Sequence, residues 1–296
     1  MAEPEPGPPV TRVPVRVDTR APGGTTNAYV ADGLLVDPAA RTDALDAAVG
    51  LGGAADERTG DDEEPGVGEI DAIAVTHTHP DHVGAVAAYA DRTDAPVLAH
   101  ADHVDRFTAA TGVEPDGTFA GDERVGDTTV RAVDTPGHAP DHVAFAVGGG
   151  SGDGRGGDDG ESPPGALLCG DLAVAEGSVV VGAPEGDLRE YLDSLERVRD
   201  ADYGRLYPGH GPVINDPRDT CDRLIEHRLS RERAVLAAVE SGASDVDAVV
   251  DRAYEKDLSG VADLARATVV AHLEKLLAEG RLDGEWAGRL ARDREE

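Results

Sequence analysis

The segment Thr76-His77-Thr78-His79-Pro80-Asp81-His82 constrains this chain more than any other. Four ligand-type side chains fall within six residues, directly after the apolar run Ile70 to Val75. That run reads as a strand. His77 and His79 alternate about Thr78, so in an extended loop both imidazoles point the same way, and Pro80 holds off helical geometry until the chain turns at Asp81. Asp81 and His82 then face a second point. Neutral imidazoles with a carboxylate suit zinc, and so many nitrogens disfavour manganese or iron.

Three later elements supply what the cluster lacks: His138 in Thr135-Pro136-Gly137-His138, Asp171 in Cys169-Gly170-Asp171, and His210 in Pro208-Gly209-His210-Gly211. Each follows an apolar, strand-like run. Residues just past strand ends lie at a sheet edge where loops converge on sites, and the neighbouring glycines let the backbone turn sharply. The other histidines have plainer readings. His100 and His103 suit surface or helix-capping roles, and His142 lines the pocket or orients a ligand. Asn27 serves a turn or the site.

Short apolar runs at Val13–Val17, Ala28–Val30, Leu34–Val36, Val97–Ala99, Thr129–Val133, Val143–Val147 and Ala166–Cys169 read as further strands. Helical stretches such as Val83–Tyr89 and Leu188–Val198 lie between them, so strands and helices share one α/β domain. Residues 1–9 have the composition of a disordered tail, and the Gly/Asp-rich segments near 52–69 and 148–165 that of exposed loops. A long helical run, Asp219 to Glu240, ends at Ser241-Gly242, where the domain boundary is expected. On it, His227-Arg228 and Arg231-Glu232 stand at i, i+4 spacing, which predicts salt-bridged packing against the first domain. Beyond it, Val246–Tyr254 and Val261–Ala278 have helical spacing, with Leu264, Thr268, Leu273, Leu276 and Leu277 facing inward, and Gly280, Leu282 and Gly284 suggest a short β wing. Helix, helix and wing predict a winged-helix unit over 242–296 after a catalytic domain over 10–241.

Composition narrows the setting. The net charge is −32, from 59 acidic residues against 27 basic ones, of which only Lys256 and Lys275 are lysines. Acid dispersed along the whole chain predicts a hydrated surface that stays soluble where salt screens its self-repulsion, as in a salt-rich, halophilic cytoplasm. No apolar run approaches the roughly 18 to 20 residues that span a bilayer, so no membrane partner is expected. Cys169 and Cys221 are too few for a disulfide framework and read as small buried residues.

The spaced set of His-x-His-x-Asp-His, a distant His, an Asp and a final His resembles the metallo-β-lactamase superfamily. The resemblance implies an αββα sandwich followed here by the small C-terminal winged-helix domain. It also implies two zinc ions, one held by His77, His79 and His138, the other by Asp81, His82 and His210, with Asp171 bridging them. Two such cations can bring a shared water toward a neutral pKa and polarise the bond being cut. Asp81 would accept a hydrogen bond from that water and His210 would meet the departing group. Glu stands at the position of His79 in the flavodiiron oxidoreductases, so this His favours hydrolysis; an iron-dependent dioxygenase using the same loop stays open.

Three longer stretches, Thr135–His142, Leu206–Ile214 and His227-Arg228-x-x-Arg231-Glu232, resemble the beta-lactamase-like protein 2 group. That group includes a mitochondrial endoribonuclease acting on single-stranded RNA, so the resemblance implies an RNA partner. Charge runs against it: residues 242–296 carry 13 acidic and 8 basic residues, a net of −5, with no basic footprint for nucleic acid. A winged helix of this charge suits packing or homodimer formation. Two other readings compete. A glyoxalase II-like thioester hydrolase shares the seven ligands but ends in a helical domain, against which the wing argues. A non-enzymatic metal- or ligand-sensing DNA-binding regulator is disfavoured by the complete ligand set and the acidic winged helix.

Overall fold

The computed structural model describes residues 10–51, 70–148, 165–254 and 258–293. The expected tail over 1–9 and nearly all of the two Gly/Asp-rich segments lie outside the described residues. By its internal contacts the chain divides into two compact units.

The first unit comprises Met1–Asp134, Asp141–Glu176 and Asp202–Pro217. It holds two four-stranded sheets. One runs in the order β1 (Val10–Arg16), β2 (Thr25–Ala31), β3 (Leu34–Val36), β4 (Ala72–Ala74), antiparallel except for the parallel pair β3·β4. A short parallel pair, β5 (Leu98–His100) with β6 (Gly117–Phe119), follows it in the chain. The other sheet runs in the order β10 (Arg205–Pro208), β9 (Ala166–Gly170), β8 (Val143–Val147), β7 (Arg131–Asp134), with β9·β10 parallel.

Strand alternation explains why β3 and β4 read as unbroken apolar runs. Leu34, Val36, Ala72 and Ala74 point into a core shared with Ala132, Phe145 and Leu168 of the second sheet. Leu35 and Ile73 point the other way, into a core shared with Leu45, Val86, Tyr89 and Phe107. Those four side chains come from helices α1 (Asp43–Ala48), α3 (Val86–Thr93) and α4 (Val104–Thr111). A strand buried on both faces cannot afford a polar period. Between β4 and α3 lies one turn of helix, α2 (Pro80–Val83), whose first residue is the proline that helix starts favour.

The second unit comprises Thr135–Pro140, Gly177–Ala201 and Arg218–Glu296. It contains α5 (Leu188–Asp200), α6 (Pro217–Glu240), α7 (Val246–Ala253), α8 (Ala262–Ala278) and α9 (Gly284–Asp293). Val235 and Ala238 of α6 share a core with Val249, Leu273 and Trp286, which ties the long helix to the three that follow it. Arg228 and Glu232 of α6 find their partners inside this unit. Arg228 donates to the Val179 carbonyl, and Glu232 accepts from Lys275 at 2.6 Å and from Arg281.

The expected β wing is a correction. Gly280, at φ 69°, ends α8 by returning its N–H to Leu277 O, and Arg281 N–H returns to Leu276 O. Asp283 then accepts from Glu285 N–H and starts α9, which buries Trp286 and Leu290. The glycines that suggested a hairpin are a helix stop and a helix start, and no strand follows β10 among the described residues. No described helix is long and apolar enough to cross a membrane.

Candidate metal centre

Six of the seven residues singled out by pattern lie in the first unit, on loops at strand ends or on the short helix α2. The chain leaves β4 at Ala74 and passes through His77 and His79 before α2 carries Asp81 and His82; Asp171 follows β9 and His210 follows β10. His79 has φ −65° and ψ 144°, the extended geometry that the following proline imposes. As a result His77 Nε2 and His79 Nδ1 lie 2.9 Å apart.

Ligand-type atoms of His77, His82 and Asp171 lie within 4.8 Å of one another, and so do those of Asp81, His82 and His210. Asp171 faces both ways: Oδ1 is 3.8 Å from His82 Nε2 and Oδ2 is 3.4 Å from His210 Nε2, which is 3.5 Å from Asp81 Oδ2. Donors tetrahedrally arranged at bonds of about 2.0–2.2 Å stand roughly 3.3–3.6 Å from each other. These separations fit a cation better than they fit direct hydrogen bonds.

Tautomers point the same way. Thr76 Oγ1 gives its single hydrogen to Asp37 Oδ2 at 2.8 Å, so its contact with His77 Nδ1 at 3.0 Å makes that nitrogen the donor. His82 Nδ1 donates to Asp37 Oδ2 at 2.9 Å and His210 Nδ1 to Thr25 O at 2.9 Å. In the neutral form of each ring Nε2 therefore keeps its lone pair, the arrangement that metal-ligating imidazoles adopt. His82 Nε2 is buried and makes no hydrogen bond. Burial alone would lower the His82 pKa, yet the charge and hydrogen bond of Asp37, backed by Asp171 and Asp81, raise it to about 9. His210 is likewise raised against burial by Asp171 and the Thr25 carbonyl. The cluster is built to hold positive charge, which a metal ion would supply in place of these protons.

His138 belongs to the second unit. It is buried on the loop after β7, and its Nδ1 donates to Val180 O at 2.8 Å, which again leaves Nε2 as the available atom.

Several supporting residues escaped the sequence pattern. Asp37, fully buried one residue past β3, orders Thr76 and His82 together, taking Thr76 N–H at 2.6 Å. Asp141 accepts from Thr78 N–H at 2.9 Å and Thr78 Oγ1–H at 2.6 Å, and pairs with Arg106 at 3.0 Å, so it sets the path of the histidine loop. Thr19 Oγ1–H donates to Asp81 Oδ2 at 2.6 Å. Of the residues left open, His142 accepts the N–H of the candidate ligand Asp171 at 3.1 Å. Asn27 clamps the His210 loop, donating to Pro208 O at 2.8 Å and Gly211 O at 2.9 Å. His100 caps the turn that follows β5, taking Asp102 N–H. A Cβ at Gly209 would stand 2.5 Å from Asp171 Oδ1 and 2.8 Å from His82 Cε1, so only glycine lets the β10 loop pass this close.

Residues 21–153 match the family model described as metallo-beta-lactamase superfamily. Over 230 residues the chain is 32% identical to the beta-lactamase-like protein 2 homolog of Drosophila melanogaster, covering 72% of this chain and 70% of that one. It is 30% identical over 175 residues to the homolog from Caenorhabditis elegans, covering 58% of this chain and 52% of that one, so it spans about half of that relative. Among solved structures, the backbone resembles a metallo-beta-lactamase family protein of Thermus thermophilus, with a TM-score of 0.64 at 24% identity, covering 92% of this chain and 94% of that one. It also resembles a beta-lactamase domain protein of Burkholderia ambifaria, with a TM-score of 0.65 at 19% identity, covering 92% and 87%.

Proposed function

The chain belongs to the metallo-beta-lactamase superfamily, and from that premise we propose that it is a metal-dependent hydrolase using two zinc ions. Asp81, His82 and His210 would hold one ion, His77 and His79 the other, and Asp171 both; His138 joins His77 and His79 on the sequence pattern alone. The observation that carries this reading is the commitment of each Nδ1 in His77, His82 and His210 to an acceptor, which leaves the Nε2 of His82 and His210 facing the carboxylates of Asp171 and Asp81 and that of His77 facing His79. Bound there, the ions would lower the pKa of a shared water toward neutrality and polarise the scissile bond.

The chain's own groups do the rest. Asp81, its Oδ2 oriented by the Thr19 hydroxyl, accepts a hydrogen bond from the attacking water. His210, 3.5 Å from that carboxylate, stands beside the departing group. Asp37, Asp141, His142 and Asn27 hold the loops after β4, β9 and β10 in register, so little reorganisation is left for the reaction itself.

Single-stranded RNA is the substrate that the resemblance to the beta-lactamase-like protein 2 group suggests. Thioester hydrolysis is the second reading, and one observation favours it. The feature that argued against a helical C-terminal domain, the wing, is replaced by α9. Metal analysis of the purified protein should find close to two zinc ions per chain. Hydrolysis should vanish in Asp81→Ala and His138→Ala, and full activity in either variant would refute the mechanism. A high-salt assay comparing labelled single-stranded RNA with S-lactoylglutathione separates the substrates: thioester turnover without RNA cleavage removes the RNA reading, and the converse removes the other.

A further inference from the structure

The second unit contains a cavity of about 210 Å³ whose lining joins two features. One is a pair of arginines that no described carboxylate neutralises. Arg228 and Arg231 line the cavity together with His227. Arg228 is 3% exposed, spends one N–H on the Val179 carbonyl and stacks over Tyr191, while its Nε has no hydrogen-bond partner. Arg231 lies over the Tyr254 ring at 3.7 Å and donates to Ala253 O. Among the described residues neither arginine is paired with Asp or Glu, although acidic residues outnumber basic ones 59 to 27 in the chain. Glu232, on the same helix, is taken by Lys275 and Arg281. A desolvated guanidinium without a counter-ion is costly, and an anion in the cavity would offset that cost.

The other feature is exposed apolar surface. Val180 and Val261 are the large hydrophobic residues left open among the described residues, at 39% and 45%, and both line this cavity. An open apolar surface beside a charged one marks a binding surface more often than a lone exposed valine does. A wider cavity of about 780 Å³ shares Arg231 and Tyr254 with it, which leaves room for a longer ligand.

We propose that this cavity binds a small amphiphilic organic anion, its carboxylate or phosphate head held by Arg228 and Arg231 and its apolar arm lying against Val180 and Val261. The guanidinium fork matches either oxyanion, and a neutral molecule would offer the arginines no charge-assisted bond. The carbonyl of Val180 also holds His138 Nδ1, so the ligand lies against the residue that orients this imidazole.

The site is independent of the hydrolase assignment, and its test uses the full chain after removal of metal by chelation. Isothermal titration compares octanoate, octyl phosphate, octanol and inorganic phosphate. At least one of the two amphiphilic anions should bind at least about tenfold more tightly than octanol and than inorganic phosphate, and the preferred head identifies the oxyanion. Arg231→Gln and Val261→Asp should each weaken that binding by about tenfold or more, because the first removes a charged donor and the second puts a carboxylate at the apolar wall. Octanol binding as tightly as both anions, neither anion binding, or undiminished affinity in the folded variants would overturn the proposal.

Discussion

Replacing Asp37 by Asn changes one oxygen in the support of the metal centre and nothing in the backbone. Asp37 has φ 51°, a left-handed conformation that Asn accepts as readily as Asp. Its Oδ1 takes Thr76 N–H at 2.6 Å, and its Oδ2 takes Thr76 Oγ1–H at 2.8 Å and His82 Nδ1–H at 2.9 Å. An amide cannot accept on both sides. With its NH2 toward the Thr76 amide, two donors would meet in a buried site, at a cost of about 1–3 kcal/mol. The reverse orientation is cheaper but makes His82 Nδ1 an acceptor, so the ring proton moves to Nε2, the atom that faces Asp171 at 3.8 Å. That nitrogen then has no lone pair for a metal. The expected loss is about 10- to 100-fold in zinc affinity, equivalent to about 1.4–2.7 kcal/mol. Competition against a chromophoric chelator measures it, with thermal unfolding of the metal-free protein as the check on folding. A folded Asn variant that binds zinc within about twofold of the wild type would refute the reasoning.

Gly209→Ala should cost most of the metal affinity while the protein stays folded, since the added methyl meets Asp171 Oδ1 and His82 Cε1; chelator competition checks it, and unchanged affinity would count against the loop geometry. The pH dependence should have opposite signs with and without metal. The folded pKa of His82 lies at about 9, above its ordinary 6.5, so the imidazolium stabilises the metal-free protein below about pH 6.5 and that contribution is lost as pH rises through about 9. Zinc needs the deprotonated ring, so its affinity should climb over the same window, and a flat titration would contradict the coupling. His272 behaves in the opposite sense. It is buried without a hydrogen bond on either nitrogen, and burial together with Arg228, Arg231, Lys275 and His227 pushes its pKa down to about 3. Unfolded chains take up a proton near 6.5 and the folded one does not, so stability should fall as pH drops below about 6.5. His272→Leu should therefore lose less unfolding temperature than the wild type between about pH 7 and 5, and an equal loss would locate the acid sensitivity elsewhere.

The candidate ligands were legible in the sequence because they depend on local facts: which side chains can bind a metal, and that each group of them follows an apolar run. The α6 and α8 helices were legible for the same reason, since a period of 3.6 is written in consecutive residues. What the sequence could not show were partnerships set by strand register. Asp37 serves His82 because β3 pairs with β4 so that Val36 stands opposite Ala74, which brings the residues just past both strands together. The one local hint was Asp37-Pro38 directly after an apolar run, the same punctuation as at His79-Pro80. His142, Asn27 and Thr19 likewise act on residues 29, 181 and 62 positions away. The C-terminal wing was misread because glycine permits both a hairpin and a helix stop; the decision belonged to Asp283, which caps α9, and to the buried faces of Trp286 and Leu290. Residue chemistry names the metal centre in the linear chain, whereas its tautomers, its raised histidine pKa values and its supporting carboxylate arise from proximity, which only the folded sheets create.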